Sequence, residues 1–132
     1  MQALARTEEI KFTVYGEPAS KANSRKMVYV RGKPMFIKSS KALAYVSAFK
    51  QQAKSWQVLE GDVVVEITIH YASRRPDLDE SLILDLLQGV AYENDRQVKE
   101  KHIYWGLDKE NPRCDIRVYK KQRDSLGVPL PP

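Results

Sequence analysis

The hydrophobic positions along the chain change period several times, and each change marks an element. Ile10, Phe12 and Val14 alternate with Lys11, Thr13 and Tyr15, which predicts a strand with one buried face. Residues 16–24, GEPASKANS, have loop chemistry. Two short apolar runs follow, Met27–Val30 and Pro34–Ile37, with Arg31, Gly32 and Lys33 as the hairpin turn between them. Ser39 or Ser40 then caps a helix. On it Ala42, Val46, Phe49, Ala53 and Trp56 recur at steps of three and four, an apolar stripe in a segment that ends at Gly61. Lys41, Lys50 and Lys54 lie off that stripe. Val63, Val65, Ile67, Ile69 and Tyr71 alternate with Val64, Glu66, Thr68, His70 and Ala72, the clearest strand in the chain. Leu82, Ile83, Leu86 and Leu87 return to helical spacing, and Gly89 stands where a C-terminal stop belongs. Val98–Leu107 and Cys114–Tyr119 read as a final antiparallel pair around a turn at Asp108–Pro112. Residues 1–8 and 124–132 read as loose termini.

The order β, hairpin, α, β, α, β, β predicts a single α+β domain, a mixed β-sheet with two helices packed on it. Size agrees. A folded chain of this mass exposes about 7,000 Å² of the roughly 22,000 Å² of its open form, enough for one core and not for two. The 42% apolar and 30% charged residues are ordinary for a globular chain. No apolar run approaches ~18 residues, so no membrane span is expected. The first fifteen residues carry no apolar signal core. Cys114 is the only cysteine, which excludes an intramolecular disulfide and a thiolate-rich zinc site, and a reducing cytosol is the simplest home.

Charge changes the picture more. The net charge of +5 hides two blocks of opposite sign. Between Glu17 and Glu60 there is no acid, while Lys21, Arg25, Lys26, Arg31, Lys33, Lys38, Lys41, Lys50 and Lys54 all fall there. Residues 77–95 carry Asp77, Asp79, Glu80, Asp85, Glu93 and Asp95 and no base, bracketed by Arg74, Arg75 and Arg96. A long basic tract favours a polyanion. A dense carboxylate block calls for a compensating cation. Together they point to a phosphodiester substrate and a divalent metal.

Within the acidic block, Asp77, Leu78 and Asp79 follow a strand. In an extended step both carboxylates point the same way, and a hard cation relieves their repulsion. Asp79 has a competing task as N-cap of the next helix. That helix carries the chain away by roughly 13 Å, and residues 89–95 span up to roughly 24 Å when extended, enough to return Asp95 beside Asp77. The only histidines, His70 and His102, fall on predicted strands, and no Ser/His/Asp or Cys/His set suggests covalent catalysis.

These residues resemble a known family. Arg74-Arg75-Pro76-Asp77-Leu78-Asp79, a short helix, and the run Gly89-Val90-Ala91-Tyr92-Glu93-Asn94-Asp95-Arg96-Gln97-Val98 are similar to the RusA-type Holliday junction resolvases (crossover junction endodeoxyribonucleases). The resemblance spans about residues 10–120. It implies that Asp77, Asp79 and Asp95 are catalytic carboxylates that bind Mg2+, with Mn2+ as a substitute. It also implies a homodimer that resolves four-way DNA junctions by paired nicks, in the cytoplasm of a bacterial or phage-infected cell. For DNA phosphates the candidates are Lys21, Arg25, Lys26, Arg31 and Lys33, with Arg74, Arg75 and Arg96 nearest the acids. The sequence departs from the family pattern in three ways. Glu80 replaces the Asn after the DxD pair, Asn94 replaces an acid, and Ser81, Leu82 and Ile83 supply no Lys on the first helical turn. These departures admit a second reading, a weakened or inactive junction-binding module of the same fold. A third class is a small RNA-binding protein with incidental acids.

Overall fold

The computed structural model describes residues 9–20, 23, 25–53 and 58–122. Lys21, Lys54, Trp56 and both terminal segments named above lie outside them. The elements are β1 (Glu9–Tyr15), β2 (Arg25–Val30), β3 (Lys33–Lys38), α1 (Ser40–Gln52), β4 (Val63–Tyr71), α2 (Ser81–Leu86), β5 (Val98–Leu107) and β6 (Arg113–Lys120), with a 3-10 turn at Asp95–Gln97. The order is the one the periodicity predicts. The result is a single α+β domain, with a mixed four-stranded sheet ordered β1-β6-β4-β5 and a separate two-stranded sheet β2-β3.

One face of the large sheet is the core. Val63, Val65, Ile67, Ile69 and Tyr71 of β4 are all but fully buried, as are Cys114, Ile116 and Val118 of β6 and Ile10 and Val14 of β1. Ala42, Tyr45 and Phe49 of α1 and Leu82 and Ile83 of α2, with Leu87 just beyond it, complete the same cluster, so both helices cover one face. Each such aliphatic side chain stabilises the fold by ~1.5–3 kcal/mol over leaving it in water. Phe12 meets Phe49 edge-on with centroids 6.1 Å apart, which fixes α1 over β1. The Tyr45 hydroxyl reaches Cys114 Sγ at 3.5 Å. Burial there pushes the Cys114 thiol up to about 12, so it is inert rather than nucleophilic.

The opposite face is polar, as a half-solvated sheet allows. Arg117 pairs with Glu9 and Glu66, and its guanidinium lies 4.2 Å from the Tyr119 ring centroid. His70 Nε2 sits 3.0 Å from Asp115, which also accepts the Thr13 hydroxyl at 2.8 Å. His70 is thereby a satisfied member of this face.

Two expectations are corrected. The final strands are not paired with each other. β4 lies between them, parallel to β5 and antiparallel to β6. The reason is burial: β4 is apolar on its inner face along its whole length and needs a partner on each edge to satisfy its backbone. The Asp108–Pro112 turn therefore wraps the end of β4, with the Asp108 N–H donating to the Tyr71 carbonyl at 2.8 Å. The first helix ends at Gln52, well before Gly61. Its Ser39 cap accepts the Ala42 N–H at 3.1 Å. At its other end the Gln52 amide donates to the Tyr15 carbonyl at 2.9 Å and accepts the Tyr15 N–H at 2.7 Å, tying the last turn to the edge of β1. Tyr45, absent from the predicted stripe, takes the inward place there.

Candidate active site

The DLD segment is positioned by two aromatic residues at the ends of β4 and β5. The Tyr71 hydroxyl donates to the Asp77 carbonyl at 3.1 Å and accepts the Asp79 N–H at 3.2 Å. Trp105 Nε1 donates to the Pro76 carbonyl at 3.0 Å. The two rings pack against each other with centroids 5.8 Å apart. Three backbone groups of residues 76–79 are thus held from the sheet. Burial raises the Tyr71 phenol above its ordinary value, the Asp79 N–H lowers it, and the nearby Asp79 and Glu17 carboxylates raise it further, so it stays protonated and able to donate.

Asp77 and Asp79 line one cleft of about 490 Å³. Glu17, Lys41 and Arg75 line it as well, with Ser20 and Asn23 from the loop before β2. The sequence reading missed Glu17 and Lys41 as site residues. The one signal for Glu17 is that it is the last acid before the basic tract. Its carboxylate accepts the Ala72 N–H at 2.8 Å and lies 3.5 Å from Lys41 Nζ, so it also closes the end of β4. Asp79 Oδ1 accepts the Ser81 N–H at 3.0 Å and the Ser81 hydroxyl at 2.6 Å. The N-cap predicted at Asp79 falls instead on Glu80, whose carbonyl accepts the Leu84 N–H and whose side chain makes no capping bond. The two Ser81 contacts fix the Asp79 carboxylate one residue before the cap.

Asp95 opens the 3-10 turn that follows the 89–94 loop. Among the described residues no three His, Cys, Asp or Glu side chains form a group able to hold a metal ion. The described lining of the cleft includes Asp77 and Asp79 but not Asp95. The loop that leads to Asp95 is folded rather than extended. Val90 and Ala91 N–H groups donate to the Leu87 carbonyl, and Gly89 donates to Tyr92 at 2.7 Å. Asn94 caps the turn that Asp95 opens, and the Gln97 amide ties it to Leu59 and Gly61 at 2.9 and 2.8 Å. Buried Tyr92 anchors the loop by donating to the Leu84 carbonyl at 2.7 Å.

The predicted DNA-binding residues fall into three places. Arg25, Lys26, Arg31 and Lys33 are exposed on the β2–β3 hairpin. Arg74 and Arg75 are exposed at the cleft end of β4. Arg96 is exposed in the 3-10 turn, its Nε 3.4 Å from Asn94 Oδ1. Lys101, unremarked in the sequence, reaches from β5 to within 2.6 Å of Glu80 at the start of α2. It brings a base to the element on which the resemblance leads one to expect a lysine.

Comparison with known families decides the identity. The model for the family described as endodeoxyribonuclease RusA matches residues 16–119. The chain belongs to the RusA family. No curated protein matches it. The matched span of this RusA-family chain contains the whole cleft, the hairpin and the 89–98 run. The family is one of endodeoxyribonucleases that act on branched DNA junctions, and membership suggests that activity class. No helix among the described residues is long and apolar enough to cross a membrane.

Proposed function

We propose that this protein is a magnesium-dependent, structure-specific endonuclease that resolves four-way DNA junctions by paired nicks. The observation that carries the reading is the cleft, in which Asp77 and Asp79 meet two cations inside the family-matched span. The donor set fits a hard divalent ion. Magnesium is commonly held by one or two carboxylates, keeps several waters and completes its shell with substrate phosphate oxygens. Asp77 and Asp79 would hold it, with manganese as a substitute, and Asp95 is the third carboxylate that the resemblance assigns. When bound, the ion supplies charge relief at the phosphoryl group and an acidified water.

The rest is the work of this chain's own residues. Arg75 and Lys41 offer positive charge to a phosphate entering the cleft, and Arg75 can meet it bidentately. Tyr71 and Trp105 keep the DLD backbone still, so the carboxylates need little reorganisation on binding. The exposed bases of the hairpin hold flanking phosphates without reading sequence. A four-way junction has approximate two-fold symmetry, so a C2 homodimer presents two such clefts to matching strands and makes two cuts.

One observation favours the binding-module reading instead. Glu80 stands beside Asp79 and occupies Lys101, the base that β5 brings to the start of α2. Cleavage of a labelled four-way junction, with linear duplex as control, in magnesium, manganese and EDTA separates the two. A resolvase gives symmetric, metal-dependent nicks in the junction only. A binding module retains the junction in EDTA and cuts it in no metal.

A further inference from the structure

The β2–β3 hairpin carries more apolar surface than a DNA backbone needs. Its register pairs Arg25 with Lys38, Met27 with Phe36 and Tyr29 with Pro34. Directly opposed residues share a face, so these six side chains line one side of the ribbon. Tyr29 and Phe36 are each 69% exposed and Met27 is half exposed. Arg25 and Lys38 sit at the base of this face, and Arg31 is in the turn at its tip.

Each of these choices costs stability. A two-stranded ribbon is marginal in water, and like charges directly opposite one another repel. Arg31 adopts φ 53° in the turn, a conformation uncommon for a residue with a side chain. A hairpin built only to fold would not expose aromatic rings between cations. Phosphates alone would be served by lysines without rings. Rings flanked by cations are the composition that takes nucleobases, each with a face to stack and a phosphate to neutralise.

We propose that this face is a base-stacking platform, and that Tyr29 and Phe36 engage bases unstacked at the branch point of a DNA junction. The inference rests on the junction reading above and adds the part of the DNA that the hairpin takes. Charge complementarity selects the occupant. The tract from 18 to 59 holds nine bases and no acid, so two copies of this hairpin repel each other while a polyanion is attracted. Intact duplex has few accessible base faces, so the platform gives preference for branched over linear DNA.

The test is equilibrium binding by fluorescence anisotropy, in EDTA, to a synthetic four-way junction and to a linear duplex of equal arm sequence. Tyr29→Ser and Phe36→Ser, singly and together, are compared with Arg25→Gln. Each ring variant is expected to lose roughly 5- to 150-fold in junction affinity, the range seen when a base-stacking aromatic is removed. Its duplex affinity stays within about twofold, since phosphate contacts carry that binding. Arg25→Gln weakens both. A double ring variant that keeps the wild-type ratio of junction to duplex affinity overturns the platform. So does a double variant whose sedimentation mass drops below that of the wild type, because the rings would then contact a second copy. If the wild type itself shows no preference for the junction, it is the junction reading that fails.

Discussion

The Tyr71 hydroxyl donates to the Asp77 carbonyl oxygen at 3.1 Å, and this bond joins the last residue of the central strand to the first carboxylate of the site. The same hydroxyl accepts the Asp79 N–H, so one oxygen fixes both ends of the DLD step. Tyr71→Phe keeps the ring against Trp105 and removes only that oxygen. We expect a stability loss of about 1–3 kcal/mol, from two backbone groups left without a partner. Cleavage should fall on the order of 100-fold, the cost of a small misplacement of catalytic groups. The half-saturating magnesium concentration should rise as well, a change that loss of stability alone does not cause. A variant with the wild-type rate and metal dependence would show that Tyr71 does not position the carboxylates.

Gly106 pairs with His70 in register, and a Cβ placed there would lie 2.7 Å from His70 Nδ1. Its requirement for glycine is therefore a close approach. His70 cannot swing away freely, because Asp115 holds its other nitrogen at 3.0 Å. Gly106→Ala is expected to destabilise by ~1–3 kcal/mol. Adding His70→Ala should recover most of that loss in urea denaturation, and simple additivity of the two changes would argue against the contact.

Asp108 gives the fold a pH dependence of known sign. Hydrogen bonding from the Arg113 guanidinium, at 2.7 Å, and then from the Asn111 and Glu110 N–H groups holds its carboxyl below the usual 3.8. A carboxyl depressed by folding contributes stability that is complete above its unfolded value and is lost as pH falls through its folded one. The stability gap between wild type and Asp108→Asn should be constant from neutrality down to about pH 4 and shrink below it. Urea midpoints across that range measure it, and a gap that widens in acid would reverse the sign.

Much of the fold was legible because it is written in period. The alternation from Val63 to Tyr71 and from Cys114 to Val118 named the inner face residue by residue, and Arg31-Gly32 marked the hairpin. Pairing was not legible. Nothing local tells β5 to lie beside β4 rather than beside β6, because both choices satisfy its backbone equally and only the shared burial of β4 decides. The site divided in the same way. Asp77 and Asp79 were visible as neighbours in sequence that the extended step turns toward one cleft. Glu17, Lys41, Tyr71 and Trp105 were not visible as site residues, since they come from four other segments and meet the DLD only in the folded chain. The conformation of residues 89–95 was not legible either: they were expected to be extended, and turns centred on Leu87 and Tyr92 fold them.

The central claim is that the Asp77 and Asp79 carboxylates perform metal-dependent cleavage of junction DNA. The most direct test is cleavage and binding of a four-way junction by Asp77→Asn, Asp79→Asn and Asp95→Asn beside the wild type, in magnesium and in EDTA. Asn keeps the size of the side chain and removes its charge. We expect the Asp77 and Asp79 variants to bind the junction as tightly as wild type or more so, because a negative charge facing phosphate is gone, and to cut it at no measurable rate. Loss of cleavage in Asp95→Asn as well would bring that residue into the set. An Asp77→Asn protein that cuts the junction as fast as wild type would contradict the account.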